Sequence, residues 1–260
     1  MLKILSDTPN RIYTLTHFSD LFGAAKSTIS EDIDVLQAIL ERFDLGTLET
    51  VTGAAGGVKF LPTASQEGSR RFISDLCLRM GDADRILAGG FVYMLDILSH
   101  PAFVSRMGEI LAMQFYKSRP DFVVTIETKG IPVAMMVARS LNVPLIVARR
   151  DARITDGSVV SINYVSGSSK RIQTMSLPKR SVREGSRALI IDDFMKGGGS
   201  ARGLMDMMRE FSVQVVGVGV VVSTSQPERK LVPDYKSLMV LHNVDESARK
   251  VDVRPAAWLG

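Results

Sequence analysis

Asp192 and Asp193 end the apolar run Ala188-Leu189-Ile190-Ile191, and after Phe194, Met195 and Lys196 come Gly197-Gly198-Gly199-Ser200. A strand of this kind delivers its carboxylates to its carboxyl end, where open α/β sheets bind ligands. The glycines then let backbone N–H groups close around a phosphate at the start of the next helix. Two adjacent carboxylates accept hydrogen bonds from vicinal ribose hydroxyls, while Gly197 to Ser200 offer donors and a hydroxyl to a 5′-phosphate. An ordinary β-to-α turn with a solvated Asp cap is the plainer alternative. Strand, glycine loop and helix in that order favour a sugar-phosphate site.

Other elements must complete such a site. Asp121 to Ile126 reads as a buried strand, followed by Glu127-Thr128-Lys129-Gly130 and by Ile131-Pro132, with proline where a helix begins. A second helix amino terminus therefore points at the strand ends and carries Lys129, which would otherwise be plain surface charge. Residues 158–177 read as two polar strands joined by a tip with Lys170 and Arg171, either an arm that closes over a ligand or a simple surface hairpin. Residues 62–118 read as largely helical. Gly89-Gly90 is odd inside a helix, and tight helix packing or a nucleotide-like ligand beside Phe91 or Tyr93 would account for it.

The chain has 260 residues, 45% hydrophobic and 23% charged, which suits two globular domains. Its one cysteine, Cys77, excludes an intrachain disulfide and reads as a small core residue. With no leader-like start and no apolar run near the ~20 residues of a membrane span, a cytoplasmic protein without membrane partners is expected. The net charge is +4, unevenly spread. Residues 1–72 hold seven Lys/Arg against nine Asp/Glu, whereas from Arg139 to Arg187 ten Lys/Arg face three acids. A basic surplus beside a phosphate loop focuses field on a polyanion.

Residues 1–72 read as a compact helical module, with 73–260 as the second domain. Thr16 to Phe22 gives one short helix and Gly23-Ala24-Ala25 a turn. Ser27-Thr28-Ile29-Ser30-Glu31 opens a second helix, with Thr28 and Glu31 spaced as a capping box. Ile29, Ile33, Leu36, Leu40 and Phe43 form its apolar stripe. Lys26, Ser27, Thr28 and Ser30 gather at its amino end, where a recognition helix meets bases and phosphates. Leu45 to Thr52, a glycine turn and Val58-Lys59-Phe60 make a hairpin, so the whole looks like a winged helix with Lys59 placed to touch phosphate. Helix-turn-helix shapes also serve protein interaction.

Residues 189–200 resemble the phosphoribosyl pyrophosphate (PRPP) motif of type I phosphoribosyltransferases, which runs three apolar residues, Asp/Glu-Asp, two apolar residues and Ala-Thr-Gly-Gly-Thr. Here Lys196, Gly197 and Ser200 depart from it, which puts turnover in doubt. Glu127 to Ile131 resembles the pyrophosphate loop of xanthine-type enzymes, and the arm resembles their flexible hood. Taken in order, residues 25–32, 53–59, 161–177 and 191–196 resemble the purine operon repressors of Gram-positive bacteria.

That resemblance implies an α/β protein with an N-terminal winged helix and a C-terminal type I phosphoribosyltransferase-like domain with a mainly parallel sheet. It also implies a homodimer that represses purine genes, binds double-stranded operator DNA and is released by PRPP, without catalysis. PRPP would contact Asp192 to Ser200, Thr128, Lys129, Gly130, Lys170 and Arg171. Magnesium would ride on the ligand, with no obligatory cofactor and no protein metal site. An active purine phosphoribosyltransferase and an RNA-binding attenuator are the alternatives. Because the amino-terminal module is poor in cations, Lys170, Arg171, Lys179 and Arg180 are expected to attract DNA as well.

Overall fold

The computed structural model describes residues 1–53, 56–151, 157–165 and 171–259. The chain opens with α1 (Leu2–Asp7), α2 (Leu15–Phe22) and α3 (Lys26–Arg42), then β1 (Thr47–Val51) and β2 (Gly57–Leu61). Thr14 caps α2 by accepting the His17 N–H, and left-handed Gly23 ends it. β1 and β2 pair antiparallel, and Tyr13 bridges Val58 to add a third short segment. Leu5, Phe18, Ile29, Ile33, Leu40, Val58 and Phe60 close one apolar core, which completes a winged helix.

Two details of the second helix differ from the sequence reading. α3 begins at Lys26 with Ala25 as its N-cap, so Thr28 lies inside the first turn and no capping box forms. Phe43 falls past the end of α3, where the apolar stripe no longer follows the core, and is 60% exposed.

The second unit begins with α4 (Gln66–Met80), whose Phe72, Ile73, Leu76 and Cys77 all pack into the larger core. The boundary expected after residue 72 therefore falls inside a helix, and the division lies at residues 62–65. Cys77 is buried, and burial pushes its thiol up to about 12, as expected of a core residue.

Residues 62–118 are less helical than their composition suggests. Between α4 and the next helices lie β3 (Ile86–Leu87) and β4 (Phe91–Val92), an antiparallel pair. Gly89 and Gly90 are its turn, both at positive φ, so the paired glycines serve a hairpin and not helix packing. Then come α5 (Leu95–Leu98) and α6 (Pro101–Phe115).

From β5 (Phe122–Ile126) the chain alternates: α7 (Ile131–Leu141), β6 (Leu145–Ala148), the arm β7 (Val159–Val165) and β8 (Ile172–Pro178), β9 (Arg187–Met195), α8 (Gly199–Glu210), β10 (Gln214–Thr224), β11 (Lys236–Asp245) and β12 (Lys250–Pro255). One six-stranded sheet runs β12-β11-β10-β9-β5-β6, antiparallel only at β12. Its two faces are separated residue by residue. Val123, Leu189 and Ile191 pack with α4, α6 and α7, whereas Val124, Ala188 and Ile190 pack with α8 and the arm. Burial on both faces is why these strands read as continuous apolar runs.

A candidate sugar-phosphate cleft and a DNA-binding face

β5 and β9 are neighbours in register, with Val124 opposite Ile190. Their carboxyl ends therefore deliver Glu127 to Lys129 and Asp192 to Ser200 to one cleft of about 410 Å³, together with Arg150 and Ala201. Gly130, the N-cap of α7, lies hard against Asp192, where a Cβ would lie 2.7 Å from Thr125 Oγ1 and 2.9 Å from Asp192 Oδ1. No side chain fits there, which fixes the spacing of the two loops.

Asp192 is buried, and its Oδ1 accepts the Asp193 N–H at 3.0 Å. Burial, and then the neighbouring Asp193 charge, raises its pKa well above the usual 3.8. A buried carboxyl that still lines the cleft is suited to receive hydroxyl groups from a ligand. Phe194 and Met195 reach the cleft, yet their side chains pack into opposite cores and anchor the strand end. Lys196 is exposed at the rim, and Gly198, at φ +82°, turns the chain into α8. The first turn of a helix has N–H groups without intrahelical partners, and here it lines the cleft.

Three residues beyond those singled out from sequence belong to the site. The Arg150 N–H donates to Glu127 Oε1 at 2.7 Å, tying the end of β6 to the loop after β5. Tyr164 of the arm packs against α8 and donates to Gln173 Oε1 at 2.8 Å, and burial pushes its phenol above its ordinary pKa. Glu127 could have been found from its place at a strand end beside Thr128. Arg150 and Tyr164 come from separate elements, and only the fold brings them near.

The arm is seated rather than free. Tyr164, Met175 and Leu177 are buried with α8, and Arg149 bridges Ser176 to fasten β8 to β6. Arg171 is exposed and is not among the cleft-lining residues, while Lys170 lies outside the described residues. Lys179 and Arg180 are exposed on a short turn after β8. The structure does not bring Phe91 or Tyr93 to the cleft. Both are exposed on the β3–β4 hairpin, which adjoins Glu246 and Arg249.

In the winged helix, Lys26, Ser27, Thr28 and Ser30 are all exposed around the start of α3, accessible to an external partner. Lys59 is a correction. It is buried, its Nζ is 3.1 Å from Glu49 Oε1, and it hydrogen-bonds the Tyr116 hydroxyl. Tyr116 in turn donates to Glu49 Oε2 at 2.9 Å. Tyr116 follows α6, so β2 turns Lys59 toward the second unit instead of toward phosphate. The winged-helix pattern alone, which places Lys59 at phosphate, contains no sign of the second unit that packs behind the hairpin.

A family model described as "Bacterial purine repressor, N-terminal" matches residues 1–62, and one described as "Phosphoribosyl transferase domain" matches 95–256. The purine biosynthesis transcriptional repressor PurR of Bacillus subtilis is 44% identical over 96% of this chain and 88% of its own. The purine biosynthesis transcriptional activator PurR of Lactococcus lactis is 38% identical over 97% and 93%. Xanthine phosphoribosyltransferase of Geobacillus thermodenitrificans is 34% identical over 57% of this chain and 78% of its own. Among solved structures, adenine phosphoribosyltransferase of Giardia lamblia shares the fold of the second unit, with a TM-score of 0.54 at 20% identity over 59% of this chain and 87% of that one. The agreement spans both units and the linker between them, and the chain belongs to the purine repressor family, a winged-helix domain joined to a phosphoribosyltransferase domain.

Proposed function

We propose that the protein is a transcriptional repressor of purine biosynthesis genes, a cytoplasmic homodimer that holds operator DNA at the start of α3 and lets go when PRPP fills the cleft. The observation that carries this reading is the buried Asp192 beside Asp193 at the mouth of a glycine loop, in a chain that also bears a winged helix. The carboxylates take the ribose hydroxyls, the loop from Lys196 to Ser200 takes the 5′-phosphate, and Thr128, Lys129 and Gly130 take the pyrophosphate. Lys129, Arg150 and Lys196 supply the positive field that two phosphate groups require. Magnesium would enter on the pyrophosphate, and the reading asks for no protein cage.

The relative named as an activator shows that the sign of regulation varies among similar chains. Repression is favoured here by the closer identity to the Bacillus subtilis repressor. Fluorescence anisotropy of labelled duplexes from upstream of purine genes, titrated with protein at several PRPP concentrations, tests the reading. Tight binding that PRPP relieves is expected, with Asp193→Ala binding DNA normally and ignoring PRPP. Release of pyrophosphate when PRPP and a purine base are supplied together would instead establish a transferase, and preference for single-stranded leader RNA an attenuator.

A further inference from the structure

A loop that faces its N–H groups toward a ligand turns its carbonyls away, and buried carbonyls need donors. Behind the glycine loop those donors come from the segment after β10. Lys230 Nζ donates to Lys196 O at 2.6 Å, to Thr224 O at 2.7 Å and to Thr224 Oγ1 at 3.1 Å. The Leu231 N–H donates to Gly197 O at 2.9 Å. Three acceptors use all three N–H bonds of the ammonium, which fixes it as a cross-brace between the end of β10 and the loop after β9. The Thr224 hydroxyl completes the brace by donating to Gln226 O at 2.5 Å. Lys230 is half-buried, and burial lowers the pKa of its ammonium.

We infer that Lys230 is a positioning residue of the 5′-phosphate subsite. It holds the loop with its N–H groups toward the cleft before any ligand arrives, and it sets a positive charge directly behind the phosphate. The inference rests on the sugar-phosphate reading of the cleft and deepens it. Its effect is local, because the brace touches Lys196, Gly197 and Thr224, whereas the loop assigned to pyrophosphate is held by Arg150 and Gly130.

The test is calorimetric titration of the full-length protein with ribose 5-phosphate and, separately, with magnesium pyrophosphate. Lys230→Met keeps the length of the side chain and removes its charge and donors. Ribose 5-phosphate affinity should fall about 10-fold, as expected for losing charge-assisted hydrogen bonds that shape a binding loop. Pyrophosphate affinity should stay within about twofold, and Lys230→Arg should recover most of the loss. Should the Met variant fail to fold, Thr224→Val removes one acceptor of the brace and must give the same selective loss in smaller degree. Equal losses for both ligands would mark Lys230 as a general structural strut, and unchanged ribose 5-phosphate affinity would remove it from the site. If the parent protein binds neither ligand, the cleft reading itself fails, and the inference with it.

Discussion

Burial, and then the repulsion of Asp193, outweigh the opposite pull of Arg150 on Asp192, so the folded protein holds its proton more tightly than the unfolded chain does. For such a group the sign is fixed. Its contribution to stability is fully present below the ordinary value of 3.8 and is lost as pH rises through the raised folded value. Asp192→Asn keeps the carbonyl that accepts the Asp193 N–H and never ionises. Thermal unfolding should therefore find this variant about as stable as the parent near pH 4 and ~2–4 °C more stable at pH 7.5. On the proposed reading the gain should come with loss of the PRPP response, because the carboxylate is the group that receives the ribose hydroxyls. A gap that is constant across pH would show that burial of the carboxylate is not its cause.

At the scale of elements, the β9-loop-α8 unit was legible because its chemistry is local: strand, acids, glycines and helix lie within 25 residues of one another. The same holds for α2, α3 and the β1–β2 hairpin. What was illegible depended on distant partners. The β3–β4 hairpin hides in a helical stretch because two-residue strands leave no periodicity, and only the positive φ of Gly89 and Gly90 betrays it. Lys59 was misplaced for the same reason, since Glu49 is a cross-strand neighbour but Tyr116 is not visible from the hairpin. Lys26 and Lys59 of the winged helix should now behave differently. Lys26→Ala should weaken DNA binding at every sequence and reduce the salt slope by about one unit. Lys59→Met should leave the salt slope intact while lowering thermal stability, because Glu49 and Tyr116 lose a partly buried partner. Equal salt slopes for Lys26→Ala and the parent would move the DNA surface away from the start of α3.

Across the whole molecule, α7 runs from the cleft loop to the winged helix. Its first residue follows the Thr128-Lys129-Gly130 loop, and its last turn touches the winged helix, where Arg139 Nη2 donates to Ser6 O at 3.0 Å and Asn10 Nδ2 donates to Leu141 O at 3.2 Å. Eleven residues of helix span about 16 Å. The Lys59, Glu49 and Tyr116 cluster and the Arg106 to Asp44 contact at 3.5 Å seat the same module on α6. If PRPP fills the cleft as proposed, movement of the Thr128-Lys129-Gly130 loop would have a packed helix through which to reach the winged helix. The double variant Asn10→Ala/Arg139→Ala should bind PRPP and operator separately with near-parental affinity, yet show a several-fold smaller effect of one on the other. Parental coupling in that variant would assign the route to α6 or to a dimer contact.

The most direct test of the account is reciprocity. If PRPP weakens operator binding by some factor, saturating operator must weaken PRPP binding by the same factor, since both describe one coupling free energy. Titrating PRPP into the protein alone and into the protein held by excess operator duplex measures it. The expected result is weaker PRPP binding to the DNA complex, by the ratio seen in the anisotropy titrations. Equal PRPP affinity in the two titrations would contradict the account.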